Sequence, residues 1–357
     1  MTPVRIGLLR LSDSAPMVLA AARGLFAAHG LDATLGVEPS WANIADKLAY
    51  GQLDAAVMLP PLALAARARL RGPETRVVVP MGLSTGGNTV VLAHDIAQEI
   101  APDACDAMGT GRRFAAWLAR RAAPPRLAVV HDFSTHNLLL RYWLAASGAD
   151  PDRAIETVIV PPAQVVEALA EGRIAGFCAG APWGDVAAAG GAGAVLFGTS
   201  AIWAGHPEKC LAVSEDWIGR HPAALTKLLR AVLHAQRLCD DPAEAPALAR
   251  LLEGGLLALP PGSTSAALPG GAGAERIRFH AGAAWCPFPA HAAWFAGQMR
   301  RWGWLGADLA ARDLYRPDLL APAARAEGLA WPALPAAQFC DGGQFDAGEE
   351  IGALVKA

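Results

Sequence analysis

An internal echo restricts the folds open to this chain more than any other feature. Leu48-Ala49-Tyr50-Gly51-Gln52-Leu53-Asp54-Ala55 is matched in pattern by Leu169-Ala170-Glu171-Gly172-Arg173-Ile174-Ala175-Gly176: helix end, glycine, polar residue, aliphatic residue, small strand start. Each copy then runs through a short apolar stretch to a proline, at Pro60 and Pro182. A glycine past a helix end adopts the left-handed backbone that turns the chain into the next strand. Two such units predict an α/β protein of two lobes, each with a mostly parallel sheet flanked by helices, and a ligand cleft between them at strand C-terminal ends. The 357 residues are 53% hydrophobic and 18% charged, which is enough apolar material for two cores. The expected division is 1–93 plus 211–357 for the first lobe and 94–210 for the second.

The local patterns fit this scheme. Strands are expected over residues 4–9, 31–37, 55–59, 77–80, 89–93, 127–130 and 210–213, from their apolar, β-branched runs. Helices are expected over 15–29, ended by Gly30, and over 41–50, capped by Ser40 and stopped by Gly51. Further helices fall in the Ala- and Arg-rich 94–125 and over 223–239. The aromatic-rich 286–305 makes another, with Trp294, Trp302 and Trp304 as core or inter-lobe packing. Residues 82–87 are expected to be a glycine turn, and 254–275 a surface loop.

Composition excludes several roles. A net charge of −3 with no basic stripe gives no footprint for direct nucleic-acid binding. The six cysteines lack paired spacing and read as free thiols. No segment has the roughly 20 uninterrupted apolar residues of a membrane span. The N-terminal stretch alternates like a strand and lacks an export signal, so a cytoplasmic protein is expected.

Motif matches fail on context. Gly82-Leu83-Ser84-Thr85-Gly86 spells a nucleophile elbow, but that motif needs a helix directly after the serine, and residues 88–93 read as strand. The glycine clusters at 190–193 and 270–273 lack dinucleotide-binding spacing. His131, Asp132 and His136 span one loop with no further ligand to complete a metal set. No catalytic constellation, metal or cofactor is expected, and the chain reads as a binding protein rather than an enzyme.

Chemistry-bearing residues do collect at loops and element ends: Trp41, Asn88, His136, Gly180 and Lys209. His136 follows Ser134 and Thr135 at a strand-to-helix junction, where unpaired N–H groups and a partial positive charge favour a small anion. Lys209 is one of only four lysines and offers a compact point charge.

Five long motifs in fixed order then carry a resemblance. They are DSAPMVLAAARGLF (13–26), SWANIADK (40–47), STHNLLLRYWLAASG (134–148), FCAGAPW (177–183) and HPEKCLAV (206–213), with HAAWFAGQMRRWG (291–303) extending the match. The chain resembles the nitrate and bicarbonate solute-binding proteins of the NrtA/CmpA type, which implies a bilobal type II periplasmic-binding-protein-like fold. It also implies that Trp41, Asn88, His136, Gly180 and Lys209 bind nitrate or nitrite. Asn88 stands where nitrate transport members generally have glutamine, and Ala181 where many have glutamate. Bicarbonate binders carry an acidic residue in place of the lysine, so Lys209 favours nitrate or nitrite. Without an export signal, the resemblance is to the cytoplasmic NasS-type sensor, whose partner is an RNA-binding antiterminator of the ANTAR class. The alternative is the substrate-binding component of an ABC transporter for nitrate or bicarbonate.

Overall fold

The computed structural model describes residues 1–345 apart from 71, 104 and 307–312. The chain opens with β1 (Thr2–Leu8), β2 (Leu31–Val37), β3 (Ala55–Met58) and β4 (Val77–Gly86). It crosses into a second sheet as β5 (Asn88–Leu92), β6 (Arg126–Val129), β7 (Glu156–Ile159), β8 (Gly176–Gly180) and β9 (Ala194–Gly198), then returns as β10 (Pro207–Ser214) and β11 (Ile277–Arg278). The first sheet has six strands in the order β11-β4-β10-β3-β1-β2, and the second has five in the order β7-β6-β8-β5-β9.

The echoed segments lie at equivalent places. Gly51 and Gly172 both take left-handed backbone, with φ of 66° and 68°, and release the chain into β3 and β8. Parallel β1–β2 and β1–β3 pairs in one sheet match the parallel β6–β7 and β6–β8 pairs in the other.

The sheets are nevertheless mixed, not mostly parallel. β10 runs antiparallel to β3 and β4, and β5 runs antiparallel to β8 and β9. The reason is the route: a strand arriving directly from the other lobe starts at the cleft, where helix-delivered strands end.

The glycine stretch at 82–87 is not a separate turn, since β4 runs on to Gly86. Gly82 is needed for close approach: its N–H donates to the Trp285 carbonyl, and a Cβ there would lie 2.2 Å from the Ala284 carbonyl oxygen. The crossing itself falls on Gly86 and Gly87, with φ of 66° and 90°. Strand β5, inside the 1–93 segment expected in the first lobe, therefore pairs in the second sheet, while β10 enters the first sheet from residue 207. Gly82→Ala should cost about 1–3 kcal/mol through overpacking against immobile backbone. A urea midpoint equal to that of the wild type would show that the 284–286 segment yields.

Two more expectations are corrected. The helix expected over 15–29 is two, Ala15–Ala22 and Leu25–Ala28, separated at Gly24 with φ of 68°. Residues 254–275 carry no helix or strand, but Leu257, Leu259, Ala267 and Leu268 are buried, so the loop is packed down onto the core. The aromatic segment contains the helix Pro289–Arg301. Its Trp294 is buried, its ring 4.7 Å from that of Trp203. Trp302 and Trp304 carry the Arg141 guanidinium of helix Thr135–Ala146 at 4.5 and 5.2 Å from their ring centres. All six cysteines are free thiols. Among the described residues, no helix is long and apolar enough to cross a membrane.

Candidate functional site

Each expected site residue sits within the first or last three residues of its element. Trp41 opens the helix Trp41–Ala49, whose N-cap Ser40 accepts from the Asn43 N–H. His136 lies in the first turn of Thr135–Ala146, capped by Ser134 through the Asn137 N–H. Asn88, first in β5, pairs directly with Gly180, last in β8.

Lys209 lies on β10, and its surroundings were not visible from the sequence. Its Nζ is 2.8 Å from Asp13 Oδ2 and 2.6 Å from Glu208 Oε1. Neighbours on a regular strand point to opposite faces. Here the register shifts between Pro207 and Lys209, and again between Lys209 and Cys210, which brings Glu208 and Lys209 together.

The remaining members converge on this pair. His136 Nδ1 is 3.5 Å from Glu208 Oε1, and His206 Nδ1 is 3.7 Å from Glu208 Oε2. Lys209 Nζ stands 5.6 Å from the centre of the Trp41 ring. A Cβ on Gly180 would lie 3.4 Å from both Asn88 Oδ1 and Asp13 Oδ2, so the missing side chain leaves open the space between them. All five expected residues are brought to one crevice. Asp13, Glu208 and His206 join them there and were missed by sequence reasoning.

The lobes touch beside the crevice. The Ser12 N–H donates to the Ala181 carbonyl at 2.9 Å, and Trp183 Nε1 donates to the Arg10 carbonyl at 3.3 Å. Lys209, Glu208 and His136 are consequently sealed from solvent.

Buried polar atoms are almost always hydrogen-bonded. Here Trp41 Nε1, both side-chain polar atoms of Asn88, both ring nitrogens of His136, Asp13 Oδ1, Ser12 Oγ and Glu208 Oε2 are buried without a hydrogen-bond partner. Their clustering leaves hydrogen-bonding capacity that a small polar ligand would satisfy.

Burial holds the His136 imidazole down at about 3, against the upward pull of Glu208 and with Lys209 and His206 pushing the same way, so the ring is neutral. Burial would raise Glu208, but Lys209, His136 and His206 outweigh it and hold that carboxyl at about 2. Asp13 is pushed up by burial against the opposing effect of Lys209. Burial would discharge Lys209, but Asp13 and Glu208 overcome it and keep the ammonium charged. The crevice therefore presents one cation, amide, indole and imidazole donors, and two carboxylates.

Competing motifs resolve structurally. Ser84 lies within β4, where its hydroxyl accepts from the Lys209 N–H, so there is no strand-to-helix elbow. His131 Nδ1 accepts from the Phe133 N–H in its own loop. Among the described residues, no group of three or more His, Cys, Asp or Glu could hold a metal.

Comparison with known proteins gives the lineage. The model of the NMT1-like family matches residues 1–253. The chain is 37% identical over 241 residues to the nitrate import ATP-binding protein NrtC of Synechocystis sp. PCC 6803, covering 66% of this chain and 35% of that protein. It is 32% identical over 262 residues to the nitrate/nitrite binding protein NrtA of Synechococcus elongatus, covering 70% of this chain and 57% of that protein. The matches thus span from 35% to 57% of these relatives' lengths. The crystal structure of periplasmic nitrate-binding NrtA from Synechocystis PCC 6803 superposes with a TM-score of 0.90 at 26% identity, covering 100% of this chain and 98% of that one. The alkanesulfonate-binding protein SsuA of Xanthomonas axonopodis pv. citri shares the fold, with a TM-score of 0.63 at 17% identity over 90% of this chain and 98% of that one. The architecture is the type II periplasmic-binding-protein-like fold expected, with mixed sheets. The chain belongs to the NMT1-like family and is a homologue of the NrtA/CmpA nitrate- and bicarbonate-binding proteins.

Proposed function

We propose that the Lys209 crevice binds nitrate or nitrite, and that the chain is a cytoplasmic sensor of that anion. Nitrate is a flat, singly charged ion that accepts hydrogen bonds and never donates them, so its site needs donors and a positive charge away from water. The observation that carries the reading is the group of buried, unpartnered donors around one ammonium: Trp41 Nε1, Asn88 Nδ2 and the His136 ring. Lys209 supplies an ammonium donor, Asn88 and His136 donate, Trp41 forms an apolar wall, and the absence of a side chain at Gly180 lets the ligand approach the backbone.

An anion held by residues of both sheets stabilises the closed arrangement and alters the outer surface. In the sensor reading, the ligand-free chain holds an ANTAR-type antiterminator and the anion releases it. The chain itself touches no nucleic acid and carries no catalytic step. The departures Asn88 and Ala181 support a branch separate from the transport members. A pull-down should recover the antiterminator without nitrate and lose it when nitrate is added. Recovery only in the presence of nitrate would contradict the direction of switching.

The second reading is the substrate-binding component of an ABC transporter for nitrate or bicarbonate. It is favoured by relatives whose names are nitrate import and bicarbonate transport proteins. Bicarbonate needs an acceptor for its own hydroxyl, and Asn88 Oδ1 and Glu208 Oε2 are both unpartnered. Co-purification with a membrane permease, together with no antiterminator binding, would select it.

A further inference from the structure

We propose that the crevice takes up its anion together with a proton, and that the buried carboxylates Glu208 and Asp13 enforce this pairing. The proposal rests on the reading that the ligand is a small monovalent oxyanion such as nitrate.

Charge inventory and geometry carry it. Asp13 comes from the Ser12–Ser14 turn, His206, Glu208 and Lys209 from β10 and the loop before it, and His136 from the helix Thr135–Ala146. Two thiols feel the charges of Glu208 and Lys209, Cys178 of β8 and Cys210 of β10, and His291 of the helix Pro289–Arg301 feels that of His206. Burial pushes both thiols far up and holds His291 down at about 3, so none of the three adds charge at neutral pH.

The ammonium already sits within 2.8 and 2.6 Å of the two carboxylates. Its charge is neutralised before any ligand arrives. An anion entering alone would bring a third negative group against one positive group, in a space closed to water, and unpaired buried charge is strongly unfavourable. Burial pushes Asp13 up, but the anion would still lack a free counter-charge.

An acceptor for the missing proton is in place at His136, beside Glu208. His136 Nδ1 and His206 Nδ1 flank opposite oxygens of Glu208 at 3.5 and 3.7 Å. A proton on the His136 imidazole makes both of its nitrogens donors and supplies the counter-charge. Free chain plus anion plus one proton from solvent gives the complex, and no other bond changes. Because the complex holds more protons than the free chain, affinity falls as pH rises. For one linked proton the limit is about tenfold per pH unit.

The test is titration calorimetry of the full chain with sodium nitrate at one pH, in buffers of different ionisation enthalpy, repeated from pH 6 to 8. The expected result is uptake of about one proton per nitrate and a Kd that rises with pH towards tenfold per unit. Glu208→Gln should lower the uptake towards zero and flatten the pH profile. Nitrate binding with no proton uptake would overturn the proposal and leave the binding reading standing, whereas no nitrate binding at all would overturn both. Full uptake retained by a folded Glu208→Gln chain would remove Glu208 from the role. The wild-type measurement decides the matter even if the variant does not fold.

Discussion

Lys209→Met is expected to weaken nitrate binding at least about tenfold and to lower the stability of the free protein. Charge-assisted hydrogen bonds contribute about 1.5–3 kcal/mol, and each 1.4 kcal/mol is about tenfold in affinity. Methionine keeps the length of the side chain, so the effect is that of the charge rather than a cavity. The stability term is larger: without the ammonium, Asp13 and Glu208 face each other buried and uncompensated, a loss of about 3–5 kcal/mol.

The pH dependence has a defined sign. The carboxyl of Glu208 is held at about 2 in the folded chain against an ordinary value of 4.5. The stability this confers is present above the ordinary value and is lost as pH falls towards 2. Lys209→Met removes that stability, so its deficit should be greatest at neutral pH and shrink in acid. Denaturant titrations at pH 7 and pH 4 check this. An equal loss at both would reject the electrostatic origin, and an unchanged nitrate affinity would take Lys209 out of the site.

Trp41→Ala should destabilise the protein by about 3–5 kcal/mol, the range for truncating a fully buried aromatic residue. Trp41 is 1% exposed, and its indole nitrogen bonds to no protein group, so packing and cavity account for the loss. Trp41→Phe separates stability from binding. It restores most of the packing while lacking the indole N–H, so its denaturation midpoint should recover while nitrate affinity stays below that of the wild type. A Trp41→Phe chain that binds as the wild type does would assign Trp41 to the wall alone.

Much of this was readable from the residues. The Gly51 and Gly172 helix stops, the Ser40 and Ser134 caps and the short apolar strands follow local rules that tertiary contacts did not override. The five expected site residues lie near one another because each sits within the first or last three residues of its element. Glu208 was hidden because strand alternation sends a lysine's neighbour to the opposite face, and only the bulge in β10 reverses that. Asp13 was hidden because its partner Lys209 lies far along the chain, and no local pattern records such a contact. The mixed sheets escaped for a related reason: periodicity reports which segments are strands, but the direction of β5 and β10 depends on which lobe the chain arrives from. Gly82 misled because a glycine that admits a neighbouring backbone reads the same as one that makes a turn.

The central claim is that one small oxyanion occupies the gap where Lys209 and His136 meet. A crystal structure of the chain grown with sodium nitrate tests it most directly. The account predicts a planar ion bounded by Trp41, Asn88, His136 and Gly180, within hydrogen-bonding reach of the Lys209 ammonium. A crevice still closed by the Lys209, Asp13 and Glu208 contacts alone, with nitrate bound elsewhere or not at all, would contradict it.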